Sequence, residues 1–107
     1  MIQEVKKAWM AGIIDGEGCI TCAKLRNGKR LAITVTNTDL SILREFFELY
    51  GGGIYQVHKE RVSRKSCWEW RISRITLCLK FLQDILPYLI SKKDKAANAI
   101  KFLEAKS

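Results

Sequence analysis

A short run near the amino terminus places two acidic residues at the end of an uncharged segment. Residues 10–18 read Met-Ala-Gly-Ile-Ile-Asp-Gly-Glu-Gly, and no charge occurs from Ala8 to Ile14. In a chain with a formal net charge of +8, this segment is expected to be buried and then to present Asp15 and Glu17. Carboxylate oxygens are ligands of hard cations, so this placed acidity is the first candidate for chemistry.

Four cysteines raise a second possibility, a structural zinc site. Cys19-Ile-Thr-Cys22 has the spacing of half such a site, and Cys67 and Cys78 could complete it. If residues 18–26 form a strand, positions three apart face opposite ways, and no turn residue separates the first two cysteines. The pattern therefore favours free thiols packed as small apolar side chains in a reducing compartment.

Length and charge restrict the class of protein. A chain of 107 residues predicts one domain with a single modest core. No apolar run approaches the ~20 residues of a membrane span, and residues 1–7 lack the layout of a signal peptide, so we expect an intracellular protein. The excess of 19 Lys and Arg over 11 Asp and Glu favours a polyanionic partner, above all nucleic acid. A solvated basic surface and an anionic membrane surface are weaker alternatives.

The spacing of apolar residues predicts an alternation of helices and strand pairs. The expected helices cover 3–15, 39–50, 75–86 and 93–105, and the expected strands cover 18–26, 31–37, 54–59 and 67–73. Asn27-Gly28 marks the first hairpin. Four antiparallel strands in two hairpins, with helices on one face, predict an α+β sandwich.

The sheet face away from the helices is predicted to be polar. Strand alternation places on it Thr34, Thr36, Gln56, His58, Glu69 and Arg71. Because a two-stranded ribbon fits the DNA major groove, such a face can read base edges. Trp68 and Trp70 fall on the core side by the same alternation.

The first predicted helix is apolar on every side. A chain of this size covers only one face of such a helix, so the other face predicts a partner. A stripe of small residues would let two helix backbones approach closely, and it comprises Ala8, Ala11, Gly12 and Asp15.

Residues 10–18 resemble the signature of the LAGLIDADG homing endonucleases, with Met for the first Leu and Glu for the last Asp. Residues 85–96 are similar to the family's Leu-x-Pro-x-Leu-x-x-Lys-Lys-x-Gln-Ala stretch, with Lys95 for the usual Gln. The resemblance covers nearly the whole chain and implies an αββαββα fold with a saddle-shaped four-stranded sheet. One motif at half the usual length also implies a C₂ homodimer on a long pseudo-palindromic site in double-stranded DNA.

The resemblance assigns the candidate active-site residues. It implies that Glu17 binds Mg²⁺, or Mn²⁺ or Ca²⁺ in its place, with the Gly16 carbonyl as a backbone ligand. Such a metal activates water and neutralises the leaving oxygen, so that hydrolysis gives a staggered double-strand break. Lys92 matches the family's basic residue near the scissile phosphate. Asn37 stands where the family often has a water-orienting Gln, and Asp15 is expected to be structural.

DNA contacts are expected from the polar sheet face and from the strand ends and loops. The residues expected to reach base edges are Arg30, Thr34, Thr36, Gln56, His58, Glu69 and Arg71. The residues expected to contact phosphates are Lys24, Arg26, Lys59, Arg61, Arg64 and Lys65. The partners are therefore double-stranded DNA and a second copy of the chain, with no membrane and no small-molecule cofactor.

One departure from the family pattern supports an alternative function. The family commonly has an Arg one helical turn after position 37, and the matching residue here is Ser41. That role is then missing or moves to Arg44. The alternative is a catalytically silent relative on the same fold, either a DNA-binding regulator or an RNA-binding intron maturase.

Overall fold

The chain folds into four antiparallel strands that carry helices on one face. The computed structural model describes residues 2–58 and 66–106. The elements, in order, are α1 Glu4–Glu17, β1 Gly18–Leu25, β2 Gly28–Asn37, α2 Leu40–Tyr50, β3 Gly53–His58, β4 Cys67–Ile72, α3 Ile75–Ile85, a 3₁₀ turn Leu86–Tyr88 and α4 Lys93–Lys106. This order confirms the predicted α+β arrangement. No helix within the described ranges is long and apolar enough to cross a membrane.

The sheet is built from two hairpins joined through their second strands. Its strand order is β1-β2-β4-β3, with every neighbouring pair antiparallel. The central pairs Ile33 with Ile72 and Val35 with Trp70 are buried under the helices. Because β2 lies in the centre, its last residue, Asn37, comes close to the start of β1 and the end of α1.

The first hairpin turns one residue earlier than the Asn-Gly pair predicts. Leu25 pairs with Gly28, so Arg26 and Asn27 form the turn and Gly28 begins β2 with a φ of 128°. Among the described residues, only glycines have positive φ. Arg26 and Asn27 therefore have negative φ, so the turn is not of the type I′ that an Asn-Gly pair at its centre would form, and the positive φ falls on Gly28 just after it.

Helix α1 continues beyond its expected end. The apolar spacing predicts a helix that ends at residue 15, but α1 runs to Glu17 and is capped at Gly18. A Cβ atom at Gly18 would lie 2.7 Å from the Cα atom of Ile14, which is too close for any other residue. The sharp passage from α1 into β1 therefore falls at this glycine, and Glu17 is left at the corner.

An aromatic cluster anchors the helices on the sheet. The ring of Phe46 in α2 lies 4.9 Å from that of Trp70 in β4 and 6.0 Å from that of Phe81 in α3, and all three side chains are fully buried. The Trp70 indole donates a 2.8 Å hydrogen bond to the Gly51 carbonyl at the end of α2. Trp70 and the half-buried Trp68 thus lie on the core side, as predicted.

Truncation of Phe46 should test this anchor. We expect Phe46→Ala to lower the free energy of unfolding by about 3–5 kcal/mol, because it removes the ring and leaves a cavity. The adjacent Phe47 is 44% exposed, so Phe47→Ala should cost at most about 1 kcal/mol. Urea denaturation of both variants measures the difference, and equal losses would contradict the assignment of the core.

Candidate metal and nucleic-acid site

Glu17 presents a carboxylate at the carboxyl end of α1. It is the last residue of the helix, and its side chain is exposed. The carbonyl groups of a last helical turn lack intrahelical donors, and the helix dipole adds partial negative charge there. An acid at this end is unfavourable by about 0.3–1 kcal/mol. The corner is therefore rich in oxygen and negative potential, which suits a cation.

Asn37 touches the Glu17 side chain directly. Its amide nitrogen Nδ2 donates to Glu17 Oε2 at 2.7 Å, and its oxygen Oδ1 accepts the backbone N–H of Asp39 at 2.8 Å. The contact follows from the sheet register, because the pairing of Gly18 with Val35 sets the end of α1 beside the end of β2. Two residues far apart in sequence are thus joined at one corner.

Asp15 ties the end of α1 to the segment before α4. Its Oδ2 accepts the Ile90 N–H at 2.8 Å, and its Oδ1 accepts the Lys92 N–H at 3.0 Å and the Ser91 hydroxyl at 3.1 Å. Burial raises the pKa of this carboxyl, but the two backbone donors, the Ser91 hydroxyl and the Lys92 charge outweigh it, so the pKa lies below the usual 3.8. The carboxylate is thus engaged within its own chain.

Lys92 is brought to the same corner. Its ammonium nitrogen Nζ donates to the backbone carbonyl of Asp15 at 2.9 Å. A cation there complements the negative end of the helix. The structure therefore joins Asn37 to Glu17 directly and places Lys92 at the same end of α1, although the three residues come from α1, β2 and the segment before α4.

The predicted helix stripe divides between the core and the surface. Ala8 and Gly12 are exposed, and a Cβ atom at Gly12 would meet nothing within 4 Å. Ala11 is different, since it is completely buried in the core of its own chain with Met10 and Ile14. The assignment of Ala11 to a partner surface was therefore wrong, because the face of α1 that holds it packs on the chain's own sheet and helices.

The sheet face away from the helices carries polar rows across the strands. Thr34 pairs with Arg71 and Thr36 pairs with Glu69, so these side chains share one face. The Arg71 Nε donates to Glu69 Oε2 at 3.2 Å, which directs an arginine along this open surface. Thr34 is only 9% exposed and lies at the floor of the face.

Gln56 does not belong to this face. It pairs with Trp68, which lies on the core side, whereas Tyr55 pairs with Glu69 and is 54% exposed. Alternation is regular from Gly53 to Gln56, and the register shifts only between Gln56 and His58. Sequence reasoning took the polar residue as outward-facing and missed Tyr55, because polarity alone does not fix which face of the strand is open.

Three basic residues of the first hairpin that were predicted to contact DNA are exposed. Lys24 and Arg26 are predicted phosphate contacts, and Arg30, a predicted base contact, shares the open face with Thr34 by alternation along β2. His58 pairs with Cys67 in the backbone register. The remaining predicted phosphate contacts, Lys59, Arg61, Arg64 and Lys65, lie outside the described residues.

The cysteines of β1 lie on opposite faces of the sheet. Cys19 pairs with Thr34 and Cys22 with Leu31, and β1 runs through both without a turn. Burial raises the pKa of the Cys78 thiol to about 11, against a smaller lowering by Arg30. In residues 2–58 and 66–106, no cluster of three or more His, Cys, Asp or Glu side chains could hold a metal. The spacing of Cys19 and Cys22 thus does not produce a zinc-binding pair.

Ser41 serves as part of a helix cap. Its N–H and its hydroxyl donate to Asp39 Oδ1 at 2.9 and 2.6 Å, at the start of α2. The residue that matches the family's arginine is therefore engaged in local structure. Arg44 lies exposed one turn along the same helix.

The fold and the motif at this corner define an endonuclease family. The sequence profile described as LAGLIDADG endonuclease matches residues 10–105, and the chain belongs to that family. The homing endonuclease I-CvuI, solved in complex with its target, superimposes with a TM-score of 0.75 at 23% identity over 94% of this chain and 67% of its own. The homing endonuclease I-TnaI gives a TM-score of 0.69 at 20% identity over 94% and 74%.

A longer relative matches in part only. The LAGLIDADG meganuclease I-AabMI, bound to uncleaved DNA, gives a TM-score of 0.63 at 22% identity over 94% of this chain but 37% of its own. The profile match confirms the predicted family, and the structural likenesses confirm the predicted fold. The roles of the individual site residues stay predictions.

Loss of the Asp15 charge should destabilise the protein in a pH-dependent manner. A pKa that is lower in the folded state than in the unfolded state adds stability above pH 3.8, and this stability is lost as the pH falls through the folded pKa. We expect Asp15→Asn to cost on the order of 1 kcal/mol at pH 7, after allowance for partial exposure. Urea titrations at pH 7 and pH 3 should show the gap to wild type narrowing at pH 3. A constant gap would contradict the role of the charge.

Proposed function

We propose that this protein is a site-specific DNA endonuclease that hydrolyses both strands of a long pseudo-palindromic duplex as a homodimer. The observation that carries this proposal is the convergence of Glu17, Asn37 and Lys92 at the end of the signature helix. Family membership supplies the endonuclease activity in general terms. The chain's own residues then suggest how this member binds DNA and holds its cation.

The donors at the corner fit a hard divalent cation such as Mg²⁺. Glu17 offers an exposed carboxylate, and the Gly16 carbonyl lies in the last helical turn, where carbonyls lack intrahelical donors. Oxygen ligands of this kind, completed by water and phosphate oxygens, are what Mg²⁺ prefers. When bound, the ion would lower the pKa of a water and stabilise charge on the leaving oxygen.

Lys92 and Asn37 act around that ion in distinct ways. The ammonium of Lys92 lies at the carbonyl of Asp15, two residues before Glu17, where it can stabilise the charge that develops on a phosphate. The amide of Asn37 donates to the Glu17 carboxylate. Asp15 positions Lys92 by binding its backbone N–H.

A homodimer would place two such corners side by side. The outer face of α1 is exposed and apolar at Val5 and Trp9, and it carries small residues at Ala8 and Gly12. A helix with this face covers it with a partner, and the protein's own two-fold symmetry suits a pseudo-palindromic site. Two copies would carry twice +8, or +16, which favours a polyanion.

The open sheet face is the surface that would read the duplex. Arg71, oriented by its hydrogen bond to Glu69, can pair with guanine in the major groove, and the exposed Tyr55 lies opposite Glu69 on the neighbouring strand. Lys24 and Arg26 at the hairpin tip suit phosphates. The solved complexes of I-CvuI with its target support DNA as the partner of this fold.

Replacement of Glu17 should separate binding from cleavage. We expect Glu17→Gln to bind its duplex with near wild-type affinity but to cleave it at least about 100-fold more slowly, a loss of about 2.7 kcal/mol of transition-state stabilisation. Cleavage of a randomised duplex library with and without Mg²⁺, followed by sequencing of the cut ends, measures this. Glu48→Gln is the control, because Glu48 is an exposed acid on α2.

The outcomes distinguish the proposal from its alternative. Normal cleavage by Glu17→Gln would reject Glu17 as the metal ligand. A wild type that binds duplex DNA but never cuts it would indicate the silent regulator that the Ser41 departure suggests. Preference for structured RNA over duplex DNA would indicate the maturase.

A bulky residue on the outer face of α1 should disrupt the dimer. Gly12→Leu places a side chain where the subunit itself has open space, so the isolated subunit should keep its fold while a close helix contact is lost. Sedimentation equilibrium should show a dimer for wild type and a monomer for the variant. Ala105→Leu, at an exposed position on α4, should remain dimeric. A monomeric wild type would contradict the proposed symmetric site.

A further inference from the structure

We propose that Asn37 is a positioning residue that fixes the Glu17 carboxylate for its cation. We propose further that the combined length of the two side chains matches the gap between their backbones. This inference rests on the proposed function, because it concerns the same corner. It assigns Asn37 a role that operates through Glu17, in place of the direct water-orienting role that the family resemblance implies.

Two hydrogen bonds determine which end of the Asn37 amide faces Glu17. The backbone N–H of Asp39 donates to Oδ1 at 2.8 Å, so the accepting end of the amide is occupied by a neighbour in sequence. The NH₂ end is left to donate to Glu17 Oε2 at 2.7 Å. Because an amide NH₂ donates and does not accept, it holds one carboxylate oxygen and leaves the other, Oε1, for a cation.

The Glu17 carboxylate needs a partner that fixes its orientation, because the side chain is exposed. A glutamate at an exposed corner of a helix can adopt several rotamers. A ligand that is held in one orientation before the ion arrives binds it more tightly, since less freedom is lost on binding. The hydrogen bond that the structure shows to this carboxylate comes from the Asn37 amide, whereas the Lys92 ammonium binds the backbone carbonyl of Asp15.

The gap that the pair spans is set by the backbone. Pairing of Gly18 with Val35 fixes the end of α1 relative to the end of β2. Glu17 contributes two methylene groups to the span and Asn37 contributes one. Removal of a methylene from one side chain should therefore break the contact, and its addition to the other should restore it.

A double-mutant cycle tests this matched length. The four proteins are wild type, Glu17→Asp, Asn37→Gln and the double variant, each as the full chain bound to a duplex selected by affinity from a randomised pool. Isothermal titration with Ca²⁺ gives the cation affinity independently of cleavage. We expect Glu17→Asp alone to bind Ca²⁺ about five-fold or more weakly than wild type. We expect the double variant to bind Ca²⁺ more tightly than Asn37→Gln alone.

The cycle separates this inference from the proposed function. Any loss of the Asp39 hydrogen bond is common to both proteins that carry Asn37→Gln, so it cancels in the coupling. A wild type that binds Ca²⁺ and cleaves DNA, with purely additive effects in the cycle, would overturn the inference alone. A wild type that neither binds Ca²⁺ nor cleaves would overturn the proposed function and the inference with it.

The protein without metal or DNA gives a second test. In ¹⁵N-correlated NMR spectra, the side-chain amide protons of Asn37 should move when Glu17→Ala removes their acceptor. The side-chain amide of Asn98, exposed on α4, should not move. An unchanged Asn37 resonance would overturn the inference.

Discussion

The carboxylate of Asp15 makes the contact on which the arrangement of the site depends. It accepts three hydrogen bonds from residues 90–92, which are separated from it by most of the chain. The Lys92 ammonium also binds α1, through the backbone carbonyl of Asp15. Together these hydrogen bonds join the segment that precedes α4 to the carboxyl end of α1 and hold Lys92 at that end. The acid that looks equivalent to Glu17 in the sequence therefore has a different physical task.

The two acids differ because the corner offers them different partners. Asp15 faces inward to backbone donors, whereas Glu17 lies exposed where the helix dipole opposes its charge. The amide of Asn37 donates to the Glu17 carboxylate and offsets part of that opposition. The remaining negative potential is available to a cation. Functional sites commonly place an acid where the local electrostatics disfavour it, because the chemistry needs the acid there.

The sequence predicted the elements well because each carries a local signal. Periodic apolar residues define α2 and α3, and the Pro87 region ends α3 as expected. The convergence of Asn37 on Glu17 needed the sheet register, which local patterns do not specify. Gln56 and Tyr55 were exchanged because polarity was taken to mark the outward face, whereas the pairing of β3 with β4 turns Tyr55 outward and Gln56 towards the side of Trp68. Ala11 was misplaced because a helix that is apolar on every side does not reveal which face its own chain covers.

The open space around Gly12 has a consequence for how the protein exists in a cell. Glycine in a helix interior costs about 1 kcal/mol of helix stability relative to alanine, although a Cβ atom at this position would meet nothing within 4 Å in the subunit. In the proposed homodimer, that loss is recovered only when a second copy is present. The folded subunit is then stabilised by assembly, so the stability of the protein rises with its concentration. A scarce protein would be present as less stable single subunits that are more open to proteolysis, so its abundance would limit how much active dimer persists.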